Sequence, residues 1–139
     1  MTILRRLPVV LFLISLAACG GGGQPNVPNK SPAPAGGTPV VSAEGAKEAQ
    51  ERFNSLCSTC HGTTGHGDGP GAAAINPKPR SFSDVTWQDS VTDEQIQKTI
   101  VFGGAAVGKS PFMPAQPDLK GKTEVLAALT KIIRGYRGK

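Results

Sequence analysis

Cys57 and Cys60 bracket two small residues, and His61 follows the second cysteine directly, in the run CSTCHG. Thiolates are nucleophiles and soft metal ligands, and an imidazole ligates a metal through one ring nitrogen while the other donates a hydrogen bond. Three chemistries suit such a cluster. The thiols can hold a metal ion, exchange disulfides, or be consumed in covalent bonds to a prosthetic group.

The surrounding residues separate these. His61 and His66 have the four-residue gap seen between zinc histidines, but His61 abuts Cys60. A zinc finger places about a dozen residues between its Cys and His pairs. A redox dithiol sits after a strand and opens a helix, whereas CSTCH follows a helical stretch and opens a glycine-rich loop. C-x-x-C-H is the attachment motif of c-type haem. Both thiols add to the vinyl groups as thioethers, and the adjacent imidazole reaches the iron. The chain has only three cysteines, and the third, Cys19, lies near the N-terminus with a different assignment.

That assignment comes from MTILRRLPVVLFLISLAAC. Arg5 and Arg6 precede an apolar run from Leu7 to Leu16, then small residues. The run is shorter than the roughly 20 apolar residues of a membrane-spanning helix and reads as an export signal. Leu16-Ala17-Ala18-Cys19 resembles the lipobox of bacterial lipoproteins, which implies cleavage after residue 18 and a lipid on Cys19. Residue 20 is Gly rather than Asp, and by the same resemblance this favours the outer membrane of a Gram-negative cell over the inner one. Residues 19–42 then form a Gly- and Pro-rich tether, expected to be disordered because it has too little apolar surface to offset ordering entropy. The folded domain is expected over residues 43–139. Formal net charge is +5 and becomes +3 when Arg5 and Arg6 leave, with 13 basic against 10 acidic side chains. So weak a bias gives no reason to expect nucleic-acid binding.

Three stretches carry helical periodicity. In AEGAKEAQERFNSL, Ala46, Ala49, Phe53 and Leu56 form an apolar stripe, with Ser42 as N-cap. TDEQIQKTIVFGG opens on a capping box, Thr92 with Gln95, turns Ile96, Ile100 and Val101 inward, and stops at Gly103-Gly104. In TEVLAALTKIIRGYR, Val125, Leu126, Leu129, Ile132 and Ile133 make a wide apolar face. Nothing alternates with period two, so the domain is expected to be all-α.

These residues resemble the class I cytochrome c family. AEGAKEAQERFNSLCSTCHG is similar to its first helix, CHGTTGHGDGPGAAAINPKPRSF to the loop after the haem motif, GKSPFMPA to the segment bearing the second axial ligand, and TEVLAALTKIIRGYR to its last helix. The resemblance implies a small fold of three to four helices around one covalent haem c. It also implies that the first and last helices cross, with Ala49 near Ile132, where many members hold glycine and an aromatic residue.

Ligands follow from the chemistry of such a site. His61 is the expected proximal ligand. Met113, the only methionine left once Met1 departs, lies between Pro111 and Pro114 and is the expected sixth ligand. A thioether there favours ferrous iron and raises the potential. His66, five residues after His61, is expected to be an exposed loop residue. The second nitrogen of a ligating imidazole needs an acceptor, and by family resemblance the Pro70 carbonyl is the candidate. Arg80 and the indole N–H of Trp87 are candidate donors to the propionates.

The expectation is a monomeric, non-enzymatic electron carrier, exported and lipid-anchored on the periplasmic face of the outer membrane. Its partners would be redox proteins of the respiratory chain or a periplasmic dehydrogenase or oxidase. Two alternatives stand beside it: a haem subunit fixed in a larger respiratory or dehydrogenase complex, and a gas sensor or peroxidase should Met113 not ligate the iron. Replacing Cys19 with Ser is expected to move the protein from the membrane fraction to the soluble fraction, read by immunoblot of fractionated cells.

Overall fold

Ser42 closes the N-terminal end of the first helix, its hydroxyl accepting from the Gly45 N–H at 3.1 Å. The computed structural model describes residues 39–139. Expectations falling on residues 1–38, namely the signal, the lipidated Cys19 and most of the tether, lie outside the described residues. Helix α1 (Ala43–Arg52) continues into a wider π-helical turn (Phe53–Cys57) and a final α-helical turn, α2 (Ser58–His61). A long loop, with a 3₁₀ turn at Pro70–Ala72, leads to α3 (Val85–Ser90) and α4 (Asp93–Ala106). A second loop carries a 3₁₀ turn at Pro117–Leu119, and α5 (Thr123–Arg134) follows. There is no strand among the described residues, so this part of the chain is all-α as expected.

Helix α1 packs chiefly against α5. Its inward face is Gly45, Ala49 and Phe53, one residue every four, and Ala49 and Phe53 are essentially without solvent contact. Two members of the expected stripe point elsewhere. Ala46 is exposed, one helical step of about 100° from Gly45, and Leu56 is 51% exposed because the π-helical turn carries it off the face. The helices also lie close at Gly45, where a Cβ would lie 3.3 Å from that of Glu124. The same Glu124 accepts from the Ser42 N–H at 3.0 Å, and Val41 packs against the core, so the fold begins slightly before residue 43.

The capping box at α4 is formed in both directions, Thr92 N–H to Gln95 Oε1 at 2.9 Å and Gln95 N–H to Thr92 Oγ1 at 3.2 Å. Ile96, Ile100 and Val101 are buried as the pattern predicts. The regular helix breaks at Gly103, whose φ of 77° belongs to the left-handed region, and one further turn follows to Ala106. On α5, Val125, Leu126, Leu129 and Ile133 are buried and Ile132 is half-buried. Leu119, from the preceding turn, joins them at 0% exposure.

Helix α3 is the element the pattern does not announce. VTWQDS has two β-branched residues and no apolar stripe, and it forms because Asp84 caps it, accepting from the Trp87 N–H at 3.0 Å. Three charged ties span the α1 side: Arg52 to Glu48 and Asp118, and Lys122 to Glu48. Such partly exposed pairs each contribute about 0–1 kcal/mol. Apolar burial therefore dominates, and Phe53→Ala is expected to cost about 3–5 kcal/mol, measurable as a lower midpoint in chemical denaturation of the intact protein.

Candidate haem site

The motif sits where α1 loses its regular pitch. In the wide turn the Ser58 N–H reaches the Phe53 carbonyl, five residues back. Hydroxyls cover the neighbouring carbonyls, Ser55 Oγ donating to Glu51 O at 2.8 Å and Ser58 Oγ to Asn54 O at 2.6 Å. Single π-helical turns inside α-helices are frequent at functional sites. This one turns Cys57, Cys60 and His61 to half-buried positions at the very end of the helix.

Gly62, at φ 79°, ends that helix, and the loop folds directly back on it. The Gly67 N–H donates to the His61 carbonyl at 2.8 Å and the Gly69 N–H to that of Cys60 at 3.1 Å, satisfying groups that a helix end leaves open. A Cβ on Gly69 would run into the carbonyls of Ser58 and Thr59, so only glycine permits this approach. Lys78 then ties the loop down through the carbonyls of Ala72 and Ala73, at 2.8 and 3.0 Å. The Phe82 N–H donates to Gly65 O, at 2.6 Å, drawing the 79–82 segment against the motif.

His61 is held by that segment. Its Nδ1 lies 3.0 Å from the Arg80 carbonyl oxygen, and its ring stacks on Phe82 with centroids 4.4 Å apart and planes 17° from parallel. A carbonyl only accepts, so Nδ1 carries the hydrogen and Nε2 offers its lone pair. Burial lowers the His61 pKa below its ordinary value, opposed by the hydrogen bond to Arg80. The neutral form favoured by burial is the one that binds metals. Burial likewise pushes the Cys57 thiol up, with the Arg52 charge acting against it. Cys57 and Cys60 are not joined in a disulfide.

Pro70 is not the acceptor for His61. It is exposed and opens the 3₁₀ turn, because the Gly69–Cys60 bond carries the chain past the helix end before Pro70 is reached. The acceptor comes ten residues later, from the backbone of a residue whose side chain had been the candidate. The Arg80 guanidinium itself pairs with Asp84 at 3.3 Å and lies 5.9 Å from the centroid of the Trp87 ring. Trp87 is half-buried and packs on Phe82, 5.8 Å between centroids. Among the described residues its indole N–H has no protein acceptor, so it is free to donate to an anion or to water. His66 is an exposed loop residue, its Nδ1 3.0 Å from Thr64 Oγ1.

Met113 is positioned by the other half of the chain. The Gly104 N–H donates to its carbonyl at 3.0 Å, and a Cβ on Gly104 would meet the Ser110 carbonyl and approach the Met113 Cβ at 3.2 Å. The two glycines expected to end α4 thus also seat the methionine loop. Met113 is half-buried and abuts the core cluster that Cys57 abuts. Phe82 and Gln88, both buried, are the site residues that sequence reasoning did not single out. The signal for Phe82 was present, as the one aromatic residue closing NPKPRSF after the prolines. No pattern points to Gln88.

The donors present fit a c-type haem: two unbonded thiols, a neutral imidazole with its outer nitrogen free, and apolar side chains beside each segment. Leu56, Phe102 and Phe112, each 49% exposed or more, neighbour Cys57, Gly103 and Met113 in the chain. Flat apolar macrocycles need such surface.

An all-helical domain ending its first helix on this motif is a monohaem c-type cytochrome, and comparison with known proteins agrees. Residues 44–131 match the family described as cytochrome c oxidase, cbb3-type, subunit III, and the chain belongs to that family. Its cofactor is covalently bound haem c, its general work is electron transfer, and the family's description places such domains among respiratory redox proteins. Among solved structures the KustC0563 c-type cytochrome is similar, at 28% identity over 64% of this chain and 96% of that one, with a TM-score of 0.48. No curated protein matches. Replacing Cys57 and Cys60 together with Ser is expected to leave no haem bound after extraction with acidified organic solvent, scored by haem staining of a denaturing gel.

Proposed function

We propose that this chain is a lipid-tethered carrier of single electrons in the bacterial cell envelope, with His61 and Met113 as axial ligands to one haem attached through Cys57 and Cys60. The observation that carries the reading is the imidazole of His61. Its Nδ1 is committed to the Arg80 carbonyl, so the lone pair it presents is that of Nε2, one residue after the second thiol. Haem supplies reversible one-electron chemistry; the protein's part is to hold it and set its potential.

Met113 is supported as the sixth ligand by its place: the sole methionine of residues 39–139, half-buried, in a loop pinned to the end of α4. A soft thioether opposite imidazole favours the ferrous state, and two strong ligands leave no open position for gases or peroxide. That supports transfer of electrons without bond-making in a substrate. Export and a lipid at Cys19 are supported by the basic start, the short apolar run and the Leu16-Ala17-Ala18-Cys19 ending, with Gly20 favouring the periplasmic face of the outer membrane. A tether of this composition raises the effective concentration of the domain near membrane-bound redox partners.

The family's description as an oxidase subunit favours a second reading, in which the domain is a fixed haem subunit of a respiratory complex. Stoichiometric co-purification with oxidase subunits supports that reading over a free carrier. Met113→Ala is expected to retain covalent haem, lower the potential, and let carbon monoxide bind the ferrous protein rapidly where the parent binds it poorly. An unchanged spectrum and unchanged carbon monoxide binding remove Met113 from the iron.

A further inference from the structure

Gln88 is a polar side chain inside an apolar core. It is 3% exposed, and both hydrogens of its amide are used: Nε2 donates to the Phe82 carbonyl at 2.7 Å and the Ile133 carbonyl at 2.9 Å, while Oε1 accepts from Arg134 Nη1 at 2.9 Å. Arg134 is fully engaged in turn, through the carbonyls of Gln88 and Val91, at 2.6 and 2.7 Å, and the carboxylate of Asp93 at 2.8 Å. A buried amide is tolerated only when it is satisfied in this way. Its destination matters most. Phe82 is the residue whose ring stacks on His61, and Arg80, two residues earlier, supplies the acceptor for Nδ1.

We infer that Gln88, braced by Arg134, is a positioning residue for the haem ligand His61. It acts by clamping the Phe82 carbonyl so that the Arg80 carbonyl and the Phe82 ring stay against the imidazole. The Phe82 segment is held from both sides, its N–H on Gly65 O and its carbonyl on the Gln88 amide. The inference rests on His61 being the proximal ligand. An imidazole that donates firmly to a carbonyl is a more basic ligand and favours ferric iron. Slackening that bond therefore raises the potential. Loosened packing that admits water to the haem changes it in the opposite direction, since water stabilises the more highly charged ferric state. The sign separates positioning from bulk support.

The test uses the matured holoprotein. In Gln88→Leu, which keeps the apolar volume, the potential is expected to rise. The Nδ1 proton of His61 in the ferrous state is expected to exchange with solvent roughly fivefold faster by NMR, the factor for losing about 1 kcal/mol of hydrogen bond. Asp89→Ala, which cuts α3 from Arg137 but leaves the clamp intact, is expected to change neither. Should Gln88→Leu fail to mature, Arg134→Lys is expected to shift both readouts in the same direction and less far. An unchanged or lowered potential with parental exchange overturns the inference, as does an equal shift in Asp89→Ala. Ring protons of His61 that show no porphyrin ring-current shift in the parent protein overturn the ligand assignment, and the inference with it.

Discussion

The bond between His61 Nδ1 and the Arg80 carbonyl decides more of this structure than any other contact. A ligating imidazole has one rotational freedom that matters, the spin about its Cβ–Cγ bond, and a single hydrogen bond from the far nitrogen removes it. To place an acceptor there, the chain must leave the helix at Gly62, double back over the carbonyls of Cys60 and His61, and return eighteen residues later beside the ring. The glycines of GHGDG are the means. The N–H groups of Gly67 and Gly69 satisfy the helix end, and their missing side chains let two stretches of backbone lie in contact.

Around that bond the domain is built from two pieces with different tasks. The first, from α1 to α3, grips the thiols and imidazole. The second, from α4 to the turn before α5, carries Met113 on a loop whose seat is the Gly103-Gly104 break. Helix α5 unites them, lying against α1 and α4 with a continuous apolar face and sending Arg134 into the polar knot beneath α3. A domain of this size buries a modest fraction of its surface, so a cofactor joined to the chain by two thioethers adds support that side chains alone supply sparingly.

Membership of the oxidase-subunit family and the features of the N-terminus bear on different questions. The first concerns what the domain does with an electron. The second concerns where it stands when it does so. Both are compatible with a carrier held near membrane-bound partners and with a subunit held against one.

Much of this was readable in the residues. CSTCH has the spacing of a c-type haem attachment motif, and the residues around it separate that reading from zinc binding and disulfide exchange. The caps at Ser42 and Thr92, the inward faces of α4 and α5, and the break at Gly103 are local matters of periodicity and hydrogen-bonding groups, and they stand where the sequence puts them, although one more helical turn follows the break. Other features were decided only in three dimensions. The stripe of α1 runs through Gly45, Ala49 and Phe53 rather than Ala46, and the π-helical turn that follows carries Leu56 off that face. Helix α3 depended on a cap and a buried amide rather than on pattern. The acceptor for His61 passed from Pro70 to Arg80 because backbone carbonyls are the same in every residue, so composition cannot say which one arrives at the ring. That choice belongs to the path of the loop, and the path is set by contacts between residues far apart in the chain.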